Sequence, residues 1–309
     1  PYGPTLECDN LKSPLKGHLM ALFAVLVWGM TFVASKVLVG LLDPYWYIVI
    51  RFILAWSFLF LMAPKPMKLL PWGRELVIVF CGVVGVTLYY VTQNVALVYG
   101  TASNTGVISA SSPLFTALIL WIFGRKVKLS PVFFLGFLLC IGGVAMISFA
   151  GNGPSIHLLG DAFALAAAMS WGIYCAVIPV TEKYGLSEIQ VTRKVFFWGT
   201  LLTIPLALVM GEPVPMETFT QGGLVFWGSL LFVSLLSSAL CYLFWGKGTN
   251  LIGAVTASVY LYLMPVVSVI GSALILGEPV TVITWVAIGA IFVGLFLSQK
   301  GNRSTEPKL

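Results

Sequence analysis

The chain has 309 residues, 59% of them hydrophobic and only 9% charged, with a formal net charge of +6. Soluble domains carry roughly 25% charged residues, so a soluble globular protein is excluded and lipid is the medium that solvates this surface. The mean hydropathy of +0.99 agrees.

Residues 1–17 read as a polar cytoplasmic tail, too polar for a signal peptide, and the absence of a leading Met fits processed or vector-derived first residues. The apolar run that follows exceeds the ~7–15 residues of a signal sequence core and reads as a retained helix. Runs such as Leu19 to Val39 and Leu76 to Val98 exceed the ~20 residues that cross a bilayer as a helix. In hydrocarbon the backbone must satisfy its own polar groups, so such runs are helical. A spanning strand needs about 9–11 alternating residues, and no alternation is present.

Ten helices are predicted, at 18–39, 45–63, 75–98, 102–123, 131–150, 159–180, 187–210, 222–246, 252–276 and 280–298. Breaks fall at Asp43-Pro44, Pro64-Lys65-Pro66, Gly100-Thr101, Gly151-Asn152-Gly153-Pro154, Gly211-Glu212-Pro213 and Gly277-Glu278-Pro279, where turn-forming residues cluster. Residues 299–309 form a C-terminal cytoplasmic tail. With both ends on one side, that side collects Lys12, Lys16, Lys300, Arg303 and Lys308 from the tails. Its loops add Lys65, Lys68, Arg74, Arg125, Lys126, Lys128, Lys183 and Lys247, while the opposite loops hold no Lys or Arg. Cytoplasmic loops are enriched in these residues, which places both termini in the cytoplasm and the chain in the cell inner membrane. The scatter of the cations over loops and tails argues against nucleic acid as a partner.

The remaining cations, Lys36, Arg51, Arg193 and Lys194, fall inside predicted helices. Each costs at least ~2.5–3.5 kcal/mol at a helix centre and is a functional candidate by default. Snorkelling or pairing with Asp43 suits Lys36 as well as a substrate role does. Arg51 lies about 10 Å inside the second helix at 1.5 Å per residue; pairing with Asp43 competes with a site role. Arg193 and Lys194 sit at a related depth in the seventh helix, so all four are candidate gates or entrances, and two independent interface anchors would look the same. No Asp or Glu lies mid-membrane to relay protons.

Pro113 and Pro265 interrupt the fourth and ninth helices, freeing the carbonyls of Ser109 and Leu261, because proline has no amide proton and crowds the carbonyl four residues back. Ser109, Ser111, Ser112 or water can cap the first. A packing kink and a hinge are both open at each proline; the symmetric placement favours hinges. Polar and aromatic residues gather on a few helices, and buried amides and hydroxyls must find partners or a wet cavity. The candidate lining is Trp28, Tyr90, Gln93, Asn94, Ser112, Trp171, Tyr174, Trp245 and Tyr260. Trp46, Trp72 and Trp121 fit interfacial belts. Gly142, Gly143, Gly289 and Gly294 suit the fifth and tenth helices to packing or to facing lipid. The five cysteines are scattered and His18 and His157 lie at helix ends, so no disulfide framework, metal site or cofactor is expected.

The two halves, 18–150 and 159–298, repeat one another. Trp28-Gly29 answers to Trp171-Gly172, and the same offset of 143 residues carries Pro44 to Ser187 and Arg51 to Lys194. Pro113 answers to Pro265 and Gly124 to Gly277. Five helices per half is an odd number, so the expected fold is an all-α membrane protein of ten transmembrane helices in two inverted five-helix repeats. That is an architecture of secondary transporters, with the substrate near the midplane.

These motifs, in order and in both halves, resemble the EamA family of the drug/metabolite transporter superfamily. The resemblance rests on Trp28-Gly29 with Lys36, Asp43-Pro44, Arg51-Phe52, and Ala96-Leu97 through Ala102-Ser103 to Pro113. In the second half it rests on Trp171-Gly172, Gly253-Ala254 through Pro265, and Leu276-Gly277-Glu278-Pro279. One departure is that Gly124-Arg125-Lys126 stands where the second half has Gly277-Glu278-Pro279. The resemblance implies a central cavity and alternating access by rocking. It implies export of a small organic metabolite, with amino acids the first expectation. Multidrug efflux, or uptake of a phosphorylated or nucleotide-linked metabolite, is the alternative. An enzyme would need a convergent nucleophile and base or a metal, and no His, Asp or Glu lies deep enough. Lipid and the small solute are the expected partners; a monomer suffices, and the oligomeric state is left open.

Overall fold

Long apolar runs fold here as helices, and most of their ends fall where Gly, Pro or a capping side chain stops them. The computed structural model describes residues 5–64, 66–67, 69–123, 127–150, 156–252, 260–261 and 263–304. Lys65, Lys68, Gly124-Arg125-Lys126, Gly151-Asn152-Gly153-Pro154, Gly253-Ala254 and Lys308, all used above, lie outside the described residues. Among the described residues seven helices are long and apolar enough to cross a membrane, and three shorter apolar ones accompany them.

In chain order these are α1 (Thr5–Val39), α2 (Pro44–Met62), α3 (Trp72–Tyr99), α4 (Ala102–Ile122), α5 (Pro131–Ala150), α6 (Ile156–Val177) and α7 (Glu188–Met210). They are followed by α8, built from Gly223–Leu231, Phe232–Leu240 and Cys241–Ile252, then α9 (Leu263–Leu276) and α10 (Val282–Gly301). The first helix starts at Thr5 rather than at residue 18, because nothing in the polar tail before Gly17 breaks a helix except Pro14, which the helix absorbs. A six-residue helix, Met216–Gln221, occupies the predicted loop before α8. Two three-residue strands, Val127–Leu129 and Asn302–Ser304, pair antiparallel and tie the start of α5 to the end of α10.

Asp43 shows how a boundary is made. Its carboxylate accepts from Tyr45 N (2.9 Å) and Trp46 N (3.0 Å), which caps α2 while Pro44 occupies a first-turn position that needs no amide. Its second oxygen accepts from Glu212 N at 3.2 Å, joining the start of α2 to the end of α7. The pairing of Asp43 with Lys36 or Arg51, one of the alternatives open for those cations, is not made among the described residues.

Two helices carry π-helical stretches, Val83–Leu88 in α3 and Phe232–Leu240 in α8. Such stretches widen the helix and leave carbonyls to outside donors. Ser170 of α6 donates to Val84 O (2.7 Å), and Trp28 of α1 donates to Ser237 O (3.2 Å). The packing repeats in the same way. Helix α1 lies against α8 and α9, α6 lies against α3 and α4, and α2–α7, α4–α9 and α5–α10 form the pairs between them.

One end of the bundle brings together Lys36, Asp43, Pro44, Gly100, Gly160 and Gly211. The other brings together Gly17, Ala63, Glu75, Arg193, Gly246 and Gly248. Glycines permit the closest approaches: a side chain on Gly160 would run into the backbone of Gly100, and one on Gly294 into Cys140 and Gly136 of α5. Small residues of this kind let helices pack in lipid, where burial of apolar surface gives no driving force.

Candidate functional site

The break in α4 and the start of α9 come together in the interior. Ahead of Pro113, α4 switches to tighter bonds, Ala110 N to Val107 O (3.2 Å) and Ser111 N to Ile108 O (3.0 Å), and its helical runs are Ala102–Ser109 and Ser112–Ile122. The carbonyl of Ser109 that Pro113 leaves without an amide accepts from Ser112 Oγ at 2.6 Å. Ahead of Pro265, Leu261 O accepts from Met264 N at 3.1 Å.

Beside these segments lies a cavity of about 350 Å³. Broken α4 supplies Ser109, Ala110, Ser112, Pro113 and Thr116, and α9 with its approach supplies Leu261 and Met264. Trp28, Thr31 and Phe32 come from α1, Arg51 from α2, Tyr89, Tyr90 and Gln93 from α3, Trp171 and Cys175 from α6, and Ser237 and Tyr242 from α8. The aromatic rings pack edge to face, Trp171 against Tyr242 (5.9 Å between centroids) and Trp28 against Tyr242 (6.0 Å). Tilted Tyr89–Trp171 contact (5.0 Å) extends the wall. Such pairs hold one another's orientation.

Arg51 is the one cation among the cavity-lining residues and is 1% exposed. Its Nε donates to Ser238 Oγ at 2.8 Å. Its other nitrogens reach Tyr47 Oη (3.3 Å), Ser237 Oγ (3.4 Å) and Tyr90 Oη (3.5 Å), with the guanidinium 4.4 Å from the Tyr90 ring centroid. Hydroxyls and a π face orient the charge but do not neutralise it, and among the described residues no carboxylate pairs with it. Lys194, its counterpart in the second half, is held differently. Its Nζ lies 2.7 and 2.8 Å from the two Glu75 oxygens, and that carboxylate also accepts from Trp198 Nε1 (2.7 Å) and Leu70 N (2.9 Å).

The other expected positions divide. Trp28, Tyr90, Gln93, Ser112 and Trp171 line the cavity together with Arg51 and Pro113. Asn94 turns away and donates to Pro44 O at 3.0 Å. Tyr174 fills the space beside Gly85, Trp245 packs behind Trp28 at 5.3 Å, and Tyr260 bonds His18 at 2.9 Å. Lys36 donates to Leu97 O and Gly100 O, closing the end of α3. Arg193 donates to Ala63 O (2.8 Å) and lies over the Phe60 ring (5.0 Å). Pro265 is buried behind the wall. Thr31, Tyr89, Ser237 and Tyr242 line the cavity without having been singled out; the polar stripes on α3 and α8 were the signal for three of them. Among the described residues no group of three His, Cys, Asp or Glu converges to hold a metal.

Comparison with known proteins adds an independent line. The profile of the EamA-like transporter family matches residues 15–149 and 158–299, one match in each half. An uncharacterized transporter of Clostridium kluyveri is 26% identical over 306 residues, covering 94% of this chain and 95% of its own. A probable terminal-alkyne amino-acid exporter of Streptantibioticus cattleyicolor is 27% identical, over 67% of this chain and 68% of its own. A crystal structure of a protein 18% identical superposes with a TM-score of 0.64 over 94% of this chain and 99% of that one, a likeness of fold.

Proposed function

The chain belongs to the EamA-like transporter family, with one match to each half, and on that premise we propose that it is a secondary transporter exporting small organic solutes, amino acids foremost, by alternating access. The observation that carries the reading is the cavity beside the proline break of α4, with an Arg51 that no carboxylate among the described residues neutralises. A desolvated cation is costly and is retained where it meets a ligand's charge. A volume of about 350 Å³ lies at the small end of the ~300–1,000 Å³ range of ligand pockets, which favours a metabolite over a bulky drug. The exporter name carried by the Streptantibioticus relative points the same way.

Inverted repeats are part of the proposal. Helix α1 runs from the Gly17 end to the Lys36 end, whereas α6 begins beside Gly100, at the end where α1 finishes. Helix α2 finishes at Ala63 next to Arg193, near the start of α7. These contacts support opposite orientations for the halves. The end that holds Ala63 and Glu75 also carries Arg74, packed over Tyr184 at 5.6 Å, and Lys247 beside Gly246; we assign it and both termini to the cytoplasm of the inner membrane. The ion pair of Lys194 and Glu75 then stands as a closure on that side, and Pro113 and Pro265 as hinges.

Counterflow in proteoliposomes tests the reading: a labelled amino acid should accumulate against a preloaded unlabelled pool with saturable kinetics. Uptake that rises linearly with concentration for every solute in a panel of amino acids, sugar phosphates and nucleotide sugars would replace the carrier with a channel.

A further inference from the structure

A second polar group in the cavity wall is left open. Gln93 lines the cavity and is 1% exposed, and among the described residues its Oε1 has no hydrogen-bond partner. A buried amide oxygen without a donor is destabilising and rare in folded proteins. Gln93 also stands three residues beyond Tyr90 on α3, so the two share a helix face about 5–6 Å apart at Cβ. Tyr90 is the residue whose hydroxyl and ring meet the Arg51 guanidinium. The cavity therefore presents, side by side, a cation lacking an anion and an acceptor lacking a donor. Beside them the wall carries hydroxyls of Thr31, Ser112 and Ser237 and an aromatic and aliphatic surface from Trp28, Phe32, Trp171 and Met264.

We infer that Arg51 and Gln93 read the two ends of one zwitterion, the guanidinium binding the carboxylate and Gln93 Oε1 accepting from the ammonium group, with an apolar side chain laid against the aromatic wall. This rests on the carrier reading and adds a selectivity rule to it. Solutes with only the anionic end leave Gln93 unsatisfied; solutes with only the cationic end face Arg51 with like charge.

The test uses the full chain in liposomes, with labelled L-leucine and L-phenylalanine counterflow competed by 3-phenylpropionate, which lacks the amine, and phenethylamine, which lacks the carboxylate. Each analogue should compete at least about ten-fold less well than phenylalanine, the factor expected for losing one charged hydrogen bond in a buried site. Gln93→Leu should lower the affinity for phenylalanine to that for 3-phenylpropionate, with the latter unchanged, so that the preference between them disappears. An equal loss for both ligands in Gln93→Leu overturns the assignment, as does an analogue that competes as well as phenylalanine with the wild type. Saturable flux of a sugar phosphate with none of either amino acid sinks the zwitterion rule and leaves the carrier standing. No saturable flux of any solute sinks both.

Discussion

Glu75 takes bonds from Lys194, Trp198 and the Leu70 amide, so every lone pair that would otherwise be stranded in the apolar interior is used. Removing one partner of a buried pair leaves the other uncompensated, which costs about 3–5 kcal/mol. Glu75→Gln is expected to lower the unfolding midpoint in detergent, and pairing it with Lys194→Met should recover part of the loss. Arg51→Gln should behave in the opposite way. It removes a buried charge that has no counter-ion, so its midpoint should stay at or above that of the wild type while counterflow is lost. A midpoint as depressed as that of Glu75→Gln would mean Arg51 is a structural residue. The sequence exposed both cations as charges in apolar segments. It could not separate them, because what distinguishes them is a carboxylate 119 residues away for one and serines 186 and 187 residues away for the other.

At the scale of the helix, Pro113 announced its own break, and the freed carbonyl of Ser109 is capped by one of the three serines the sequence offered. Pro113→Ala returns an amide to that carbonyl and should stiffen α4. Ligand affinity is expected to change little while the counterflow rate falls several-fold, read as an altered maximal rate at constant half-saturation. An unchanged rate would leave the proline a packing kink. The π stretches of α3 and α8 left no such mark in the sequence. Each accommodates extra residues within a turn, so residues on either side no longer share the face that a period of 3.6 assigns them. The misplaced positions lie in the regular turns beyond these stretches, where residues one apart do not share a face. Gln93 reaches the cavity and its neighbour Asn94 does not; Tyr242 does and Trp245, three residues on, backs onto Trp28 instead. Tyr174 was drawn aside for another reason, the empty space that Gly85 offers its ring.

For the whole molecule, the succession of apolar helices and the repetition of one half in the other were legible because membrane spans are long and the motifs recur in order. The closeness of the packing was not. Gly294 and Gly289 look equivalent in sequence, yet a side chain at Gly294 would strike α5 and one at Gly289 would meet open space. Gly294→Val should therefore destabilise the protein by about 1–3 kcal/mol through overpacking, whereas Gly289→Val should leave the unfolding midpoint where it was. A carrier's fixed charges move out and back in each cycle, so Arg51 contributes nothing to the net charge it translocates. Without a coupled ion, whatever current flows belongs to the cargo alone, and each unit of charge moved is worth about 2.3 kcal/mol per 100 mV. An amino acid with a neutral side chain brings none, so its steady accumulation should not follow a potassium diffusion potential imposed with valinomycin. A lone carboxylate carried by the same guanidinium would follow the voltage, which makes an electrode a reader of what the cavity holds.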